Sequence, residues 1–373
     1  MIRMIRIALA ATAGLAIALP ANAEPALRAP SFMQRPSDPH AAAPPPSECG
    51  TPPAPVAGLA LSSFYSSATD QQRAHYDQVD PQALARYQAQ VAGLHQYQFE
   101  LAKRVDRYVE TASAARASCV LDWLVPWAAA DAMLAPMTLQ GRFEAKWHAA
   151  GICLGFLKIG AAAGLSPDKL ARVRAYLAKL GRAARDGNHA DGKPVDSDDV
   201  IAHNNHAYWA GLAAAACAIP ADERPLFDWG VAQLRMAVAD ASPEGTLPLE
   251  IQRGARALGY HAMSLDALTL LAALAEANGQ HPYAWAEGAL HRMVATVARG
   301  YLDHQAFARW SGSAQEDNAA FASYYLSWAE LYRARFAGER PMPEVDRILD
   351  AHRPVGHRYL GGDVTLMIAD QPR

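Results

Sequence analysis

The sequence predicts an all-α fold, and three observations lead to that class. Apolar residues recur at helical spacing through most of the chain beyond residue 80. No run alternates polar and apolar residues for long enough to make a sheet. Gly, Pro, Asn and Asp punctuate the periodic stretches at short intervals, so the helices should stack as hairpins, without a fixed repeat of the tetratricopeptide kind. At 373 residues and 51% apolar composition, the chain is long enough to bury a substantial core, as one large domain or two small ones.

Taken in order, the chain opens with Arg3 and Arg6, an apolar run from Ile7 to Leu19, and Ala21-Asn22-Ala23. That is the pattern of a secretory signal peptide over residues 1–23, cut after Ala23, and the apolar run is too short to span a bilayer. No other segment is expected to cross a membrane. Residues 24–55, rich in Pro, Ala and Ser, read as an extended or disordered arm. Residues 57–79 carry polar and aromatic groups without periodicity. Helices are predicted over Pro81–Ala112, Ala115–Ala135, Gly141–Ala163, Pro167–Ala184, Val200–Ala218, Asp222–Ala239, Arg253–Asn278, Tyr283–Arg299, Glu316–Phe336 and Glu344–Arg353. Asp303 to Asn318 reads as a loop.

Formal net charge is −3, from 34 basic and 37 acidic residues. Loss of Arg3 and Arg6 with the leader leaves 32 basic residues against the same 37, a net of −5. A general nucleic-acid binder would be strongly basic, so that class is disfavoured. A polyanion can be handled by such a chain only if its cations are gathered in one place.

Two stretches carry the chemistry. Asp198 to Trp209 packs Asn204-Asn205-His206-Ala207-Tyr208-Trp209 into the first turns of an otherwise apolar helix. Asn205, His206 and Trp209 share a face by i+3 and i+4 spacing, and each buried polar group needs a partner. A structural hydrogen-bonded knot is the ordinary explanation for one such His; the whole cluster is better explained as a site. The second stretch, Leu249 to His261, sets Arg253, Arg256 and Tyr260 at i, i+3 and i+7. Alone it also fits a solvated helix edge paired with Glu250. Together the two stretches supply an imidazole, a phenol and neutralising donors, a set suited to removing a proton next to a carboxylate.

Asn204 through Trp209, and Arg253-Gly254-Ala255-Arg256-Ala257-Leu258-Gly259-Tyr260-His261, resemble the two signature blocks of the periplasmic alginate lyases, polysaccharide lyase family 5. The likeness extends to Cys119 through Leu124 with Trp127, to Gln140 through Trp147, and to Arg358 through Gly362; it covers the chain from about Cys49 onward. It implies an incomplete α/α toroid as a single domain over residues 56–373, with a lid at about 60–80. It also implies a groove lined by Gln140, Trp147, Trp209 and Arg358, where Arg256 and Tyr65 are expected to bind substrate as well. The family's lid sets a basic residue beside a tyrosine; here Phe64 takes the basic position and Tyr65 the tyrosine, with Arg73 as a substitute cation. The resemblance supports a Cys49–Cys119 bridge tying the arm to the body, which by loop entropy contributes on the order of 4 kcal/mol. Cys153 and Cys217, in apolar helices, are expected as buried thiols. Trp123 and Trp127 are expected in the core.

The reaction implied is β-elimination on a uronate polymer: the C5 proton is removed and the C4 glycosidic oxygen expelled. The uronate carboxylate resists further negative charge, so it must first be neutralised and the developing enolate stabilised. Asn205 and Arg253 fit that task, with His206 as a third donor. Tyr260 serves as base and acid when proton and leaving group share a face, as in mannuronate. For the opposite C5 arrangement His206 is the base and Tyr260 the acid. Neighbouring Arg253 favours the phenolate form of Tyr260. No metal or other cofactor is required, since cationic side chains supply the neutralisation. The expectation is a monomeric, periplasmic or secreted alginate lyase favouring polymannuronate. A broad lyase acting on polyglucuronate or another glucuronate polymer is the alternative, because Phe64 replaces the basic lid residue. Two other classes compete: a metal enzyme built on His203, His206, His261 and Glu250, which lacks HExxH spacing, and a non-catalytic polysaccharide-binding protein.

Overall fold

The computed structural model describes residues 25–64, 79–188, 202–316 and 324–369. The leader expected over residues 1–23, and Tyr65 and Arg73 of the expected lid, lie outside them. The main helices are α1 (Pro81–Thr111), α2 (Ala114–Ala129), α3 (Leu139–Ile159), α4 (Pro167–Asp186), α5 (Asn205–Ala218) and α6 (Arg224–Asp240). They continue as α7 (Ala257–Ala277), α8 (Ala289–Leu302), α9 (His304–Ser311), α10 (Ser327–Phe336), α11 (Pro343–His352) and α12 (Val364–Ala369). A two-residue antiparallel pair, Gly356–His357 with Gly362–Asp363, is the sheet content among the described residues.

The helices alternate between two layers. Consecutive inner helices α1, α3, α5, α7 and α10 pack on one another, and outer helices α2, α4, α6, α8 and α11 pack side by side around them. This is an incomplete α/α toroid. Composition explains the layering: α4 presents polar residues outward and buries Val173, Tyr176, Leu177 and Leu180, whereas α5 is buried on every side except at His206. Alanine and glycine let α5 sit at the centre. A Cβ at Gly230 would lie 2.5 Å from the Gly211 carbonyl, and one at Gly211 would lie 2.8 Å from the Gly230 carbonyl, so α5 and α6 meet backbone to backbone. Helix α7 is apolar and long enough to cross a membrane, but 83% of its apolar window is buried, as befits an inner helix.

Side-chain caps set where three of the inner helices, α1, α3 and α5, begin. Asp80 accepts from the amides of Gln82 and Ala83, Thr138 from Gly141, and Asn204 from His206. Several predicted boundaries shift accordingly. The fifth helix starts at Asn205 because Asn204 is extended and acts as its cap. The regular part of α7 starts at Ala257 rather than Arg253, because Gly254 takes φ +57° and breaks the frame. Residues 304–311, expected as a loop, form α9, capped by Asp303.

Over the described residues the arm runs extended along the body. Its apolar side chains Leu27 and Met33 are buried, and its backbone groups find partners on the body. Leu27 N donates to Asp222 Oδ1 at 2.8 Å, Arg28 N to Asn278 Oδ1 at 3.0 Å, and Tyr108 Oη to the Arg35 carbonyl. The indoles of Trp123 and Trp127, both in the core, donate to the carbonyls of Cys49 and Pro53. Cys49 is bridged to Cys119. Cys153 and Cys217, expected as thiols, are also bridged, with 5.0 Å between Cα atoms: the apolar faces of α3 and α5 that suggested buried thiols face each other at these two positions.

Candidate active site

The N-terminal ends of all five inner helices open onto one cleft of about 510 Å³. Tyr87 comes from the second turn of α1; Gln140, Phe143 and Trp147 from the first turns of α3; Asn205 and His206 are the first two residues of α5. Tyr260 and Met263 open α7, Tyr325 precedes α10, and Arg253 stands on the turn before α7. Leu61, Ser63 and Phe64 close one wall, with Phe64 packed on Tyr87 at a ring-centroid distance of 4.7 Å. Helix N-termini carry partial positive charge and unpaired amides, so this end of the ring favours an anion.

The four residues named for chemistry meet here. The Arg253 guanidinium lies 4.9 Å from the centre of the Tyr260 ring. Behind them, fully buried Glu250 accepts from Asn205 N at 2.7 Å and from Asn205 Nδ2 at 2.9 Å, with Arg253 Nε 3.6 Å from its other oxygen. One carboxylate thus sets both Asn205 and Arg253. Burial pushes the Glu250 carboxyl above its usual range, opposed by Arg253 and by the two Asn205 bonds.

His206 is held as a neutral imidazole. Its ring stacks on Phe143 at 3.8 Å with an interplanar angle of 16°, and Trp147 lies 6.1 Å away. Burial, reinforced by the nearby cations Lys146 and Arg253, holds its imidazole well below the ordinary histidine range. Nδ1 is buried without a hydrogen-bond partner. Lys146, itself buried, donates to the His206 carbonyl at 3.0 Å and to Asn188 Oδ1 at 3.2 Å, which fixes the start of α5 against α3. A neutral ring offers one acceptor and one N–H, so any donor role for His206 is that of an uncharged imidazole.

Three predicted groove residues stand elsewhere. Trp209 is fully buried in the core, its indole donating to the Met263 carbonyl at 3.1 Å. Arg256 turns away from the cleft and pairs with Glu316 at 3.1 Å, because the Gly254 turn cancels the stripe that continuous helix would have formed. Arg358 is one layer behind the cleft wall: its Nη2 donates to Tyr359 Oη at 3.2 Å, and the Tyr359 ring lies 6.1 Å from that of Trp147. Gln315, on the stretch 303–318 expected as a loop, clamps the Gly254 turn by bonding the Gly254 carbonyl and the Leu258 amide. The sequence reading missed Phe143, Tyr87 and Tyr325 as lining residues and Glu250 as the group that sets Asn205. Only Phe143 carried a signal, at i+3 from Gln140 and i−4 from Trp147.

An α/α toroid whose cleft gathers a phenol, an imidazole and a guanidinium between aromatic walls defines a class, the helical polysaccharide lyases. The sequence profile of the alginate lyases matches residues 65–307. A polysaccharide lyase of Stenotrophomonas maltophilia is 32% identical over 78% of this chain and 83% of its own length. An alginate lyase of Azotobacter chroococcum is 30% identical over 73% and 72%. Alginate lyase A1-III, solved with a tetrasaccharide, superposes with a TM-score of 0.72 at 23% identity, over 92% of this chain and 93% of that one. The chain belongs to the alginate lyase family and is a polysaccharide lyase.

Proposed function

We propose that this enzyme cleaves alginate by β-elimination, with Tyr260 as the proton-transferring phenol. The supporting observation is the convergence of Asn205, His206, Arg253 and Tyr260 on one cleft at the N-termini of the inner helices. Asn205 and Arg253, set by Glu250, offset the uronate carboxylate so that the C5 proton becomes removable. Tyr260 takes that proton and returns it to the C4 oxygen when both lie on one face, as in polymannuronate, the preferred substrate in this reading. Neutral His206 takes the C5 proton of the opposite epimer, with Tyr260 as the acid. Gln140 and Trp147 hold the chain, Trp147 by stacking on pyranose faces. The leader over residues 1–23 supports export to the periplasm, where the enzyme acts as a soluble monomer.

Phe64 favours a second reading. An aromatic ring packed on Tyr87 forms part of the wall where the family places a lid cation. Weaker electrostatic selection for alginate fits a broader lyase that also takes polyglucuronate. The test is a substrate panel of polymannuronate, polyguluronate and polyglucuronate, followed by the ultraviolet absorbance of the new C4=C5 double bond. Absorbance should rise with wild type on polymannuronate and be lost in folded Tyr260→Phe. Full activity in Tyr260→Phe would remove the assignment, and no product on any polymer would favour a binding protein.

A further inference from the structure

Behind the cleft wall, α1 and α3 bring together groups that the elimination does not use. Tyr87 Oη donates to Glu144 Oε1, and His95 Nε2 lies 3.0 Å from Glu144 Oε2. One turn along α3, His148 sets Nδ1 2.8 Å from the Glu144 carbonyl oxygen. The two imidazoles stack, with ring centres 5.4 Å apart and planes 17° from parallel. One nitrogen of each ring and one Glu144 oxygen all lie within 4.8 Å of one another. Glu144 and His148 are buried, whereas the His95 side chain is 29% exposed and leaves a way in from solvent.

His148 is the informative member. Its Nδ1–H donates to the Glu144 carbonyl, with Nδ1 also 3.5 Å from Glu144 Oε2, and its Nε2 is fully buried without any hydrogen-bond partner. An orphaned acceptor in a packed interior is costly unless something fills it. Two imidazoles and one carboxylate form the donor set of open zinc sites, in which neighbouring ligands about 2.0–2.1 Å from the ion stand ~3.3 Å apart. The His95–Glu144 spacing of 3.0 Å is already near that value. Tyr359 Oη, 3.4 Å from His95 Nε2, borders the remaining position.

We propose that His95, Glu144 and His148 bind one divalent transition cation of the Zn²⁺ class, at a site separate from the residues of the elimination. Without the ion, Tyr87 and His95 satisfy Glu144; on binding, the ion takes the Glu144 oxygen that His95 now shares. All four cysteines are in disulfides, so no thiolate competes for the metal.

The test is titration of tag-free, chelator-treated full-length protein with Co²⁺, read as visible ligand-field absorbance, and with Zn²⁺, read by calorimetry. One saturable equivalent is expected in wild type and in the control His203→Gln. It should vanish in His95→Gln, whose partly exposed position tolerates the change, and in His148→Gln if thermal unfolding shows that variant folded. Absence of saturable uptake in wild type would overturn the proposal, as would one equivalent persisting in folded His95→Gln. Metal uptake is read without turnover, so its failure leaves the lyase assignment standing.

Discussion

Replacing Glu250 tests whether the catalytic cleft is held from behind. The buried carboxylate accepts two bonds from Asn205, at 2.7 and 2.9 Å, and stands 3.6 Å from Arg253 Nε. In Glu250→Ala the guanidinium remains in a desolvated setting with its counter-charge gone, a loss of about 3–5 kcal/mol. The two Asn205 donors are orphaned as well, and bonds to a charged acceptor contribute about 1.5–3 kcal/mol each, so the upper end of that range is expected. At about 2 °C per kcal/mol for a chain of this size, Tm falls by about 10 °C. Glu250→Gln keeps an oxygen for Asn205 and gives up only the charge, so its loss is smaller, about 1–2 kcal/mol. Turnover should fall about 10²–10³-fold in the Ala variant, the usual effect of losing one donor at a site of developing charge. The assay is the initial rate of double-bond absorbance, run below each variant's Tm with thermal unfolding in parallel. Wild-type kcat in Glu250→Ala, at any Tm, would show that Asn205 and Arg253 do not depend on this carboxylate for their catalytic placement.

Other expectations follow from the same geometry. His206→Ala should lose about 10²–10⁴-fold on polyguluronate, where the proposed mechanism makes the imidazole the base, and distinctly less on polymannuronate; equal losses on both polymers would remove the epimer-dependent division of labour. Trp147→Ala should weaken substrate binding by about 0.5–1.5 kcal/mol, seen as a raised KM with Tm nearly unchanged. Trp209→Ala, a core truncation, should instead destabilise by about 3–5 kcal/mol in denaturant unfolding. Stability should fall on acidification. His206, His261 (to about 4) and His357 (to about 3) are all held below the ordinary histidine range, burial being the largest cause for each. The unfolded chain therefore takes protons first as pH drops below about 6.5; stability is intact above that pH and is lost below it, by up to about 2 kcal/mol per histidine at pH 5. His261 must be neutral to donate from Nδ1 to the Ala257 carbonyl while accepting from Leu247 N at Nε2, so His261→Asn should flatten the profile measured by denaturant unfolding.

Much of the site was legible because its residues break an apolar pattern. Asn205 and His206 open a helix that is otherwise alanine, leucine and aromatic, and no packing demand explains them. What periodicity did not supply was direction. Because α5 is buried all round, helical spacing distinguishes no face, and Trp209 was grouped with Asn205 although it points into the core. The two polar residues reach the cleft because they begin the helix, not because they share a stripe with Trp209. Arg256 was misplaced for a related reason. One glycine at φ +57° changes the direction of every side chain before it, and sequence spacing assumes an unbroken frame. Tyr87 and Tyr325 lie far from the motifs in sequence and join the cleft only through the closure of the inner ring. The Cys153–Cys217 bridge was hidden for the same reason, since both residues look like ordinary apolar filling until α3 and α5 are laid side by side.

That closure also explains how a chain of net charge −3 can hold a polyanion. Among the described residues, Arg253 is the one Lys or Arg lining the cleft; Lys146 lies buried behind it. The rest of the positive potential comes from backbone, because five inner helices present their N-terminal ends to the same space, each carrying roughly half a unit of positive charge. These partial charges are fixed in position by the ring, by the Cys153–Cys217 bridge and by the Lys146 bond to the His206 carbonyl, so little reorganisation accompanies the build-up of charge on the substrate. A groove lined by exposed lysines would release its polymer steeply with added salt, since exposed charges are screened within about 10 Å at 0.1 M. A groove made of helix ends, one buried guanidinium and aromatic faces is screened less, and its grip on the sugar acid depends on the packing of α3, α5 and α7 more than on surface charge.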